Sequence, residues 1–217
     1  MSVEPVLLSA ADVCLDGDGR ASLELGEADC RVELRGSCGI NGDEAGRITF
    51  LKQVHGAKIL SNPAGGEEAD GMVLSRGSGT PGLRVADCLS LLAAGPGFLA
   101  AAHAGWRGLA GGIVSRLLES LPAAPDAVVL GPSICSDCYE VGEEVRAAMT
   151  GLTDLEEHPP GRLDLARTAL DQLHAGGLAA GTAVYRIGVC TLCGGSPLFS
   201  YRGGDLRKRN HIWIEEL

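Results

Sequence analysis

Aromatic residues are scarce in this 217-residue sequence: three Phe, three Tyr and two Trp amount to 4%. With 45% hydrophobic residues overall, the core has to be built from aliphatic side chains, and 32 Gly permit tight turns and close backbone approaches. Clustered positive charge is nearly missing too. The chain carries 18 Lys and Arg against 28 Asp and Glu, a net charge of −10. Its one basic run, Arg207-Lys208-Arg209, is short and reads as a solvated edge. A polyanion needs clustered cations, so no nucleic acid is expected as a partner. No apolar run reaches the ~20 residues of a membrane span. Met1-Ser2-Val3-Glu4-Pro5 lacks the basic and apolar regions of a signal peptide. The expectation is a cytoplasmic chain with no membrane partner.

What is present is eight cysteines and five histidines. In a reducing compartment cysteines are more often buried thiols, metal ligands or nucleophiles than disulfides, and at this length a disulfide scaffold is unnecessary. The length suits one domain, 1–217. Short apolar segments bounded by Gly or Pro predict strands at 47–51, 71–74, 83–93 (interrupted), 97–102, 127–130, 184–189 and 212–214, with short antiparallel strands in the first forty residues. Leu109, Ile113, Leu117 and Leu121 recur at helical spacing until Pro122, and further helices are expected over 140–149 and 163–174. Strands and helices intermix without a clean βαβ rhythm. That favours an α/β (α+β) architecture of mixed β-sheets layered with helices in a single domain.

Two histidines have unusual surroundings. His55 lies in Gln53-Val54-His55-Gly56, where a strand-like stretch meets a glycine, and His103 ends an apolar strand before Ala104-Gly105-Trp106-Arg107-Gly108. Between them, Asp87 and Cys88 are embedded in an apolar stretch, where a carboxylate is costly unless paired or bound. Taken singly, each reads as well as an ordinary core residue. Together, two His and one Cys match an open catalytic zinc set with a fourth position for water.

Gln53-Val54-His55-Gly56, Ala69-Asp70-Gly71, Ala86-Asp87-Cys88-Leu89, the six residues 103–108, Gly131-Pro132-Ser133-Ile134, Cys138-Tyr139-Glu140-Val141-Gly142, Leu163-Asp164-Leu165, Cys190-Thr191-Leu192-Cys193 and Phe199-Ser200-Tyr201-Arg202 occur in order. This set resembles the laccase-domain family, once called polyphenol oxidases and now regarded as purine nucleoside phosphorylases with adenosine deaminase activity. The resemblance implies a mixed α/β sandwich. It implies metal ligation by His55, Cys88 and His103, and purine nucleosides and phosphate as small-molecule partners. The sequence departs from the family pattern in a shortened N-terminal region (about 1–46), at Val85, Ser90 and Gly203, and at Cys135-Ser136-Asp137.

An open zinc site can activate water for attack on C6 of adenine, whereas phosphorolysis needs a cation over the phosphate. Arg107 offers a planar fork for it, or else packs on Trp106 at the surface. Asp87 is the acid/base candidate, although on a regular strand it would face away from Cys88; it could instead orient a ligand histidine. Gln53, Ser133 and Arg202 are weaker substrate-binding candidates. Five histidines cannot supply both sites of a multicopper oxidase, but copper at the same two His and one Cys remains the less favoured cofactor. A metal-free Cys88/His103 nucleophile–base pair is a further alternative. The pairs Cys135/Cys138 and Cys190/Cys193 have the spacing of a four-cysteine zinc site but lie about 50 residues apart. They are expected to be reduced thiols, and a zinc-stabilised interaction module ranks last.

Overall fold

The computed structural model describes residues 4–36 and 39–217. Among the described residues, twelve strands form two mixed sheets. The larger has seven strands in the order β1 (Val6–Leu8), β11 (Ala183–Ile187), β10 (Ala127–Leu130), β8 (Leu89–Gly95), β9 (Phe98–Ala104), β6 (Gly71–Ser75) and β5 (Ile59–Ser61). The smaller has five: β2 (Arg20–Leu25), β3 (Cys30–Arg35), β12 (Asn210–Glu216), β7 (Thr80–Val85) and β4 (Ile48–Phe50). Helices α2 (Trp106–Ala110), α3 (Ile113–Ser120) and α5 (Leu165–Ala175) contribute to the core on one face of the seven-stranded sheet, whose other face packs on the five-stranded one. The mixed α/β layering expected from the sequence is the one found.

Side-chain alternation divides the core into these layers. Along β8, Leu91 and Ala93 join Leu109, Ile113, Leu117 and Ala169 on the helical side, while Leu92 and Ala94 join Leu83, Val85, Ile212 and Ile214 between the sheets. All seven residues of β8 and of β9 are buried. A strand covered on both faces reads as one apolar run, without alternation. That is why 83–93 looked like a single interrupted strand. It is two: β7 belongs to the smaller sheet and β8 to the larger, and Ala86-Asp87-Cys88 is the bend by which the chain changes sheet.

The helix expected from Leu109 to Leu121 is also two, because Gly112 takes a left-handed φ of 77° between α2 and α3. Helix α4 (Glu143–Met149) starts later than expected, and α5 ends at Gly176. One helix went unforeseen: α1 (Gly42–Arg47) buries no residue and so has no apolar stripe, but Asn41 and Glu44 form a reciprocal capping box at its start.

Candidate active site

The site is assembled around a carboxylate. Asp70, fully buried, accepts hydrogen bonds from the backbone N–H groups of Val54 (3.1 Å), His55 (2.9 Å) and Gly56 (2.7 Å). Three successive amides can turn inward on one side chain because His55 adopts a left-handed φ of 60°. The same carboxylate lies 2.9 Å from His103 Nδ1, so a proton on Nδ1 satisfies it and Nε2 is the nitrogen left for a metal, once it gives up its own proton. Burial opposes ionisation of Asp70, but the His103 hydrogen bond and the loop amides hold its pKa below the usual carboxylate value.

The His55 and His103 rings meet edge to face at 4.8 Å between centroids. Cys88 completes the group: one donor atom from each of the three residues lies within 4.8 Å of the others. The glycines of the 103–108 segment make this approach possible. A Cβ on Gly105 would come within 2.9 Å of Cys88 Sγ, and one on Gly108 within 3.0 Å of the Gly56 carbonyl. Burial disfavours the Cys88 thiolate, yet hydrogen bonds from His103 and His55 outweigh it and bring the thiol down to about 7. Burial likewise disfavours the His103 imidazolium, but Asp70 and Cys88 raise it to about 9. Three converging donors, one already held by a carboxylate through its far nitrogen, fit the open His₂Cys set of a catalytic zinc site.

Asp87 departs from the expected strand geometry. With φ at 85° in the bend between β7 and β8, it lies in the cavity wall together with Cys88. Its Oδ1 accepts from the Thr191 hydroxyl at 2.6 Å and its Oδ2 from the Arg202 backbone N–H at 2.7 Å. The role of orienting a histidine, offered above to Asp87, is taken by Asp70.

These groups open into a cavity of about 610 Å³, a size suited to a small-molecule ligand. Its wall carries five cations, Lys52, Arg84, Arg107, Arg202 and Arg209, against a single carboxylate, Asp87. Glu68 pairs with Lys52 at 2.7 Å, and the four arginines concentrate positive potential at one place in a chain of net charge −10. Arg107 is exposed and its guanidinium stacks 4.3 Å from the Trp106 ring centroid, so it both lines the cavity and packs on the indole. Arg209 is half-buried in the wall; reading the whole 207–209 run as a solvated edge is corrected at that residue. Gln53 lines the cavity with its amide paired to the backbone of Arg84. Ser133 stands outside the lining, where its carbonyl accepts the Thr191 N–H.

The family model described as multi-copper polyphenol oxidoreductase laccase matches residues 28–214. The chain belongs to this family. It is 39% identical over 155 residues to a Deinococcus radiodurans protein named purine nucleoside phosphorylase, covering 64% of this chain and 58% of that one. A Pseudomonas aeruginosa protein of the same name is 33% identical over 189 residues, 78% of this chain and 75% of its own length. The chain thus spans about half to three quarters of such relatives. Among solved structures, a Neisseria meningitidis protein of the family designated DUF152 superposes with a TM-score of 0.74 at 24% identity, covering 91% of this chain and 98% of that one. Protein YlmD of Geobacillus stearothermophilus superposes at 0.68 and 28% identity, covering 78% and 73%. Family membership adds weight to the cluster as a metal site. Its two imidazoles are the only ones in the metal-capable groups among the described residues, so the ligand chemistry of a multicopper centre is not assembled here.

Residue types alone did not single out Asp70, Thr191, Tyr139, Lys52 or Arg84. The signal for Asp70 was the motif Ala69-Asp70-Gly71, which in isolation reads as a turn.

Proposed function

We propose that this protein is a purine nucleoside phosphorylase acting on adenosine, inosine and methylthioadenosine, with a secondary adenosine deaminase activity, and that it works in the cytoplasm with zinc at His55, Cys88 and His103. One observation carries this reading: the His₂Cys group shares a nucleoside-sized cavity with five cations in an acidic chain. The names borne by the relatives in Deinococcus and Pseudomonas point the same way.

In phosphorolysis a phosphate oxygen bonds to C1′ of the ribose as the bond from C1′ to the purine nitrogen breaks, and the departing electron pair must be stabilised on the purine. Arg107 and Arg202 hold the phosphate dianion in the cavity, Arg107 through its planar fork. Asp87, fixed by Thr191 and the Arg202 amide, retains lone pairs with which to accept a ribose hydroxyl. Gln53 borders the nucleoside, whereas Ser133, outside the lining, makes no contact with it. Zinc held by His55, Cys88 and His103 would supply Lewis acidity.

A second reading has its own observation. Cys88, His103 and Asp70 stand in the order thiol, imidazole, carboxylate, the arrangement of a metal-free nucleophile and base. Both readings are tested by incubating adenosine, inosine and methylthioadenosine with and without phosphate, on metal-loaded and chelated protein, and identifying the products. Ribose 1-phosphate formation that depends on metal supports phosphorolysis. Activity that survives chelation and is lost on thiol alkylation supports the nucleophile instead. Metal analysis of the active preparation separates zinc from copper.

A further inference from the structure

We propose that Cys135, Cys138, Cys190 and Cys193 bind a second, structural zinc ion that ties together the two loops running under the wall of the cavity. This site is independent of the phosphorylase reading. The topology explains how pairs so far apart in sequence meet. Strands β10 and β11 are parallel neighbours, Leu130 paired with Arg186, so both strands end at the same edge of the sheet. The first pair lies in the loop leaving β10 and the second in the loop leaving β11. An isolated parallel bridge between Ser133 and Cys190 and a hydrogen bond from Thr191 N–H to the Ser133 carbonyl (3.2 Å) hold the loops side by side. About 50 residues separate the pairs along the chain, but the parallel pairing of β10 and β11 brings them together in space.

The geometry is that of a ligand set. One sulfur from each of the four cysteines lies within 4.8 Å of the others, and Cys135 Sγ is 3.8 Å from Cys193 Sγ. Zinc–sulfur bonds of about 2.3 Å in a tetrahedron require sulfurs about 3.8 Å apart. Three backbone N–H groups, of Cys135 (3.3 Å), Leu192 (3.3 Å) and Cys193 (3.5 Å), converge on Cys190 Sγ. Amides directed at a sulfur favour its thiolate form, the form that binds metal. On the other loop the Cys138 and Tyr139 N–H groups both donate to the Cys135 carbonyl, closing a tight turn that brings its two thiols to one side. Four soft thiolates in one group select zinc over harder cations.

Such an ion would act on the cavity from below. Thr191, within the second pair, donates to Asp87, and Tyr139, next to the first, lines the cavity. The test counts metal in proteins purified under reducing conditions. Wild type should hold one zinc ion per chain more than Cys135→Ser/Cys193→Ser, whatever the His55 site carries, and His55→Ala/Cys88→Ala should hold one. Should the serine variant fail to fold, the alanine variant decides alone. Its remaining zinc should leave in proportion to four thiols titrated by an organomercurial, and cobalt in its place should show the strong sulfur-to-metal charge-transfer absorption of a four-thiolate site. An alanine variant without zinc, a cobalt spectrum lacking that absorption, or a Cys135–Cys193 disulfide in most wild-type molecules overturns the proposal.

Discussion

Asp70 and His103 are joined twice: the His103 N–H donates to the Asp70 carbonyl at 2.6 Å, and the His103 ring meets the Asp70 carboxylate at 2.9 Å. Because that carboxylate also collects the amides on either side of His55, one buried side chain sets the position of both histidines. Asp70→Asn keeps the volume but loses the charge and puts an N–H₂ group where an acceptor is needed. Metal affinity should fall 10–100-fold, the range for carboxylates behind metal-bound histidines, as measured by competition with a chromogenic chelator. Unchanged affinity would remove Asp70 from the positioning role.

Gly105→Ala is a purely steric test. The backbone φ of −71° suits any residue, so no strain arises there. The new methyl would stand 2.9 Å from Cys88 Sγ, which is too close to tolerate without displacement. Overpacking of this kind costs roughly 1–3 kcal/mol. We expect a lower melting temperature together with weaker metal binding, whereas Gly42→Ala, with open space around it, should retain full metal affinity.

The titration of the metal-free cluster has a definite sign. Cys88 is lowered from 9.0 to about 7, so its thiolate contributes stability that is present above pH 9 and is lost as pH falls through about 7. His103 is raised from 6.5 to about 9, so its imidazolium contributes stability that is present below pH 6.5 and is lost as pH rises through about 9. Between about 7 and 9 the charged pair coexists. In chelated protein, alkylation of Cys88 followed by mass spectrometry should therefore turn on near pH 7, and zinc should suppress it. An inflection near 9 would show that the two histidines do not hold the thiolate.

His103 at the end of a buried strand and Cys88 beside a carboxylate stand out as odd residues in apolar settings, but His55, exposed between Val54 and Gly56, does not, and it was the resemblance of the ordered motifs that joined the three into one ligand set. The rest lay in relationships that only folding creates. Asp87 reaches the cavity because the chain changes sheet at that residue, which two consecutive apolar runs conceal. The five cations come from positions 52, 84, 107, 202 and 209, too scattered to register as a patch. The two cysteine pairs become neighbours through a parallel strand pairing that no spacing rule encodes. Helix α1 carried its capping signal, Asn41 with Glu44, but no apolar stripe to draw attention to it.

Arg107 gives the sharpest test of the proposed chemistry. Its guanidinium lies against Trp106, so Arg107→Lys would retain a charge but lose both the planar stack and the two parallel hydrogen bonds a fork offers to phosphate. If Arg107 aligns phosphate with the glycosidic bond, phosphorolysis should fall by about 10–100-fold, equivalent to about 1.4–2.8 kcal/mol. Zinc content should stay the same, because the residue is not a ligand, and deamination of adenosine, which uses no phosphate, should fall less. Trp106→Leu separates support from contact. It removes the surface on which the guanidinium rests while leaving the fork intact, and because Trp106 also lines the cavity, both reactions should fall, phosphorolysis the more. Ribose 1-phosphate release from inosine and inosine formation from adenosine, followed on one preparation of each variant, supply both readings. Equal losses in the two reactions would move Arg107 to nucleoside binding, and no loss in either would leave it a surface arginine packed on an indole.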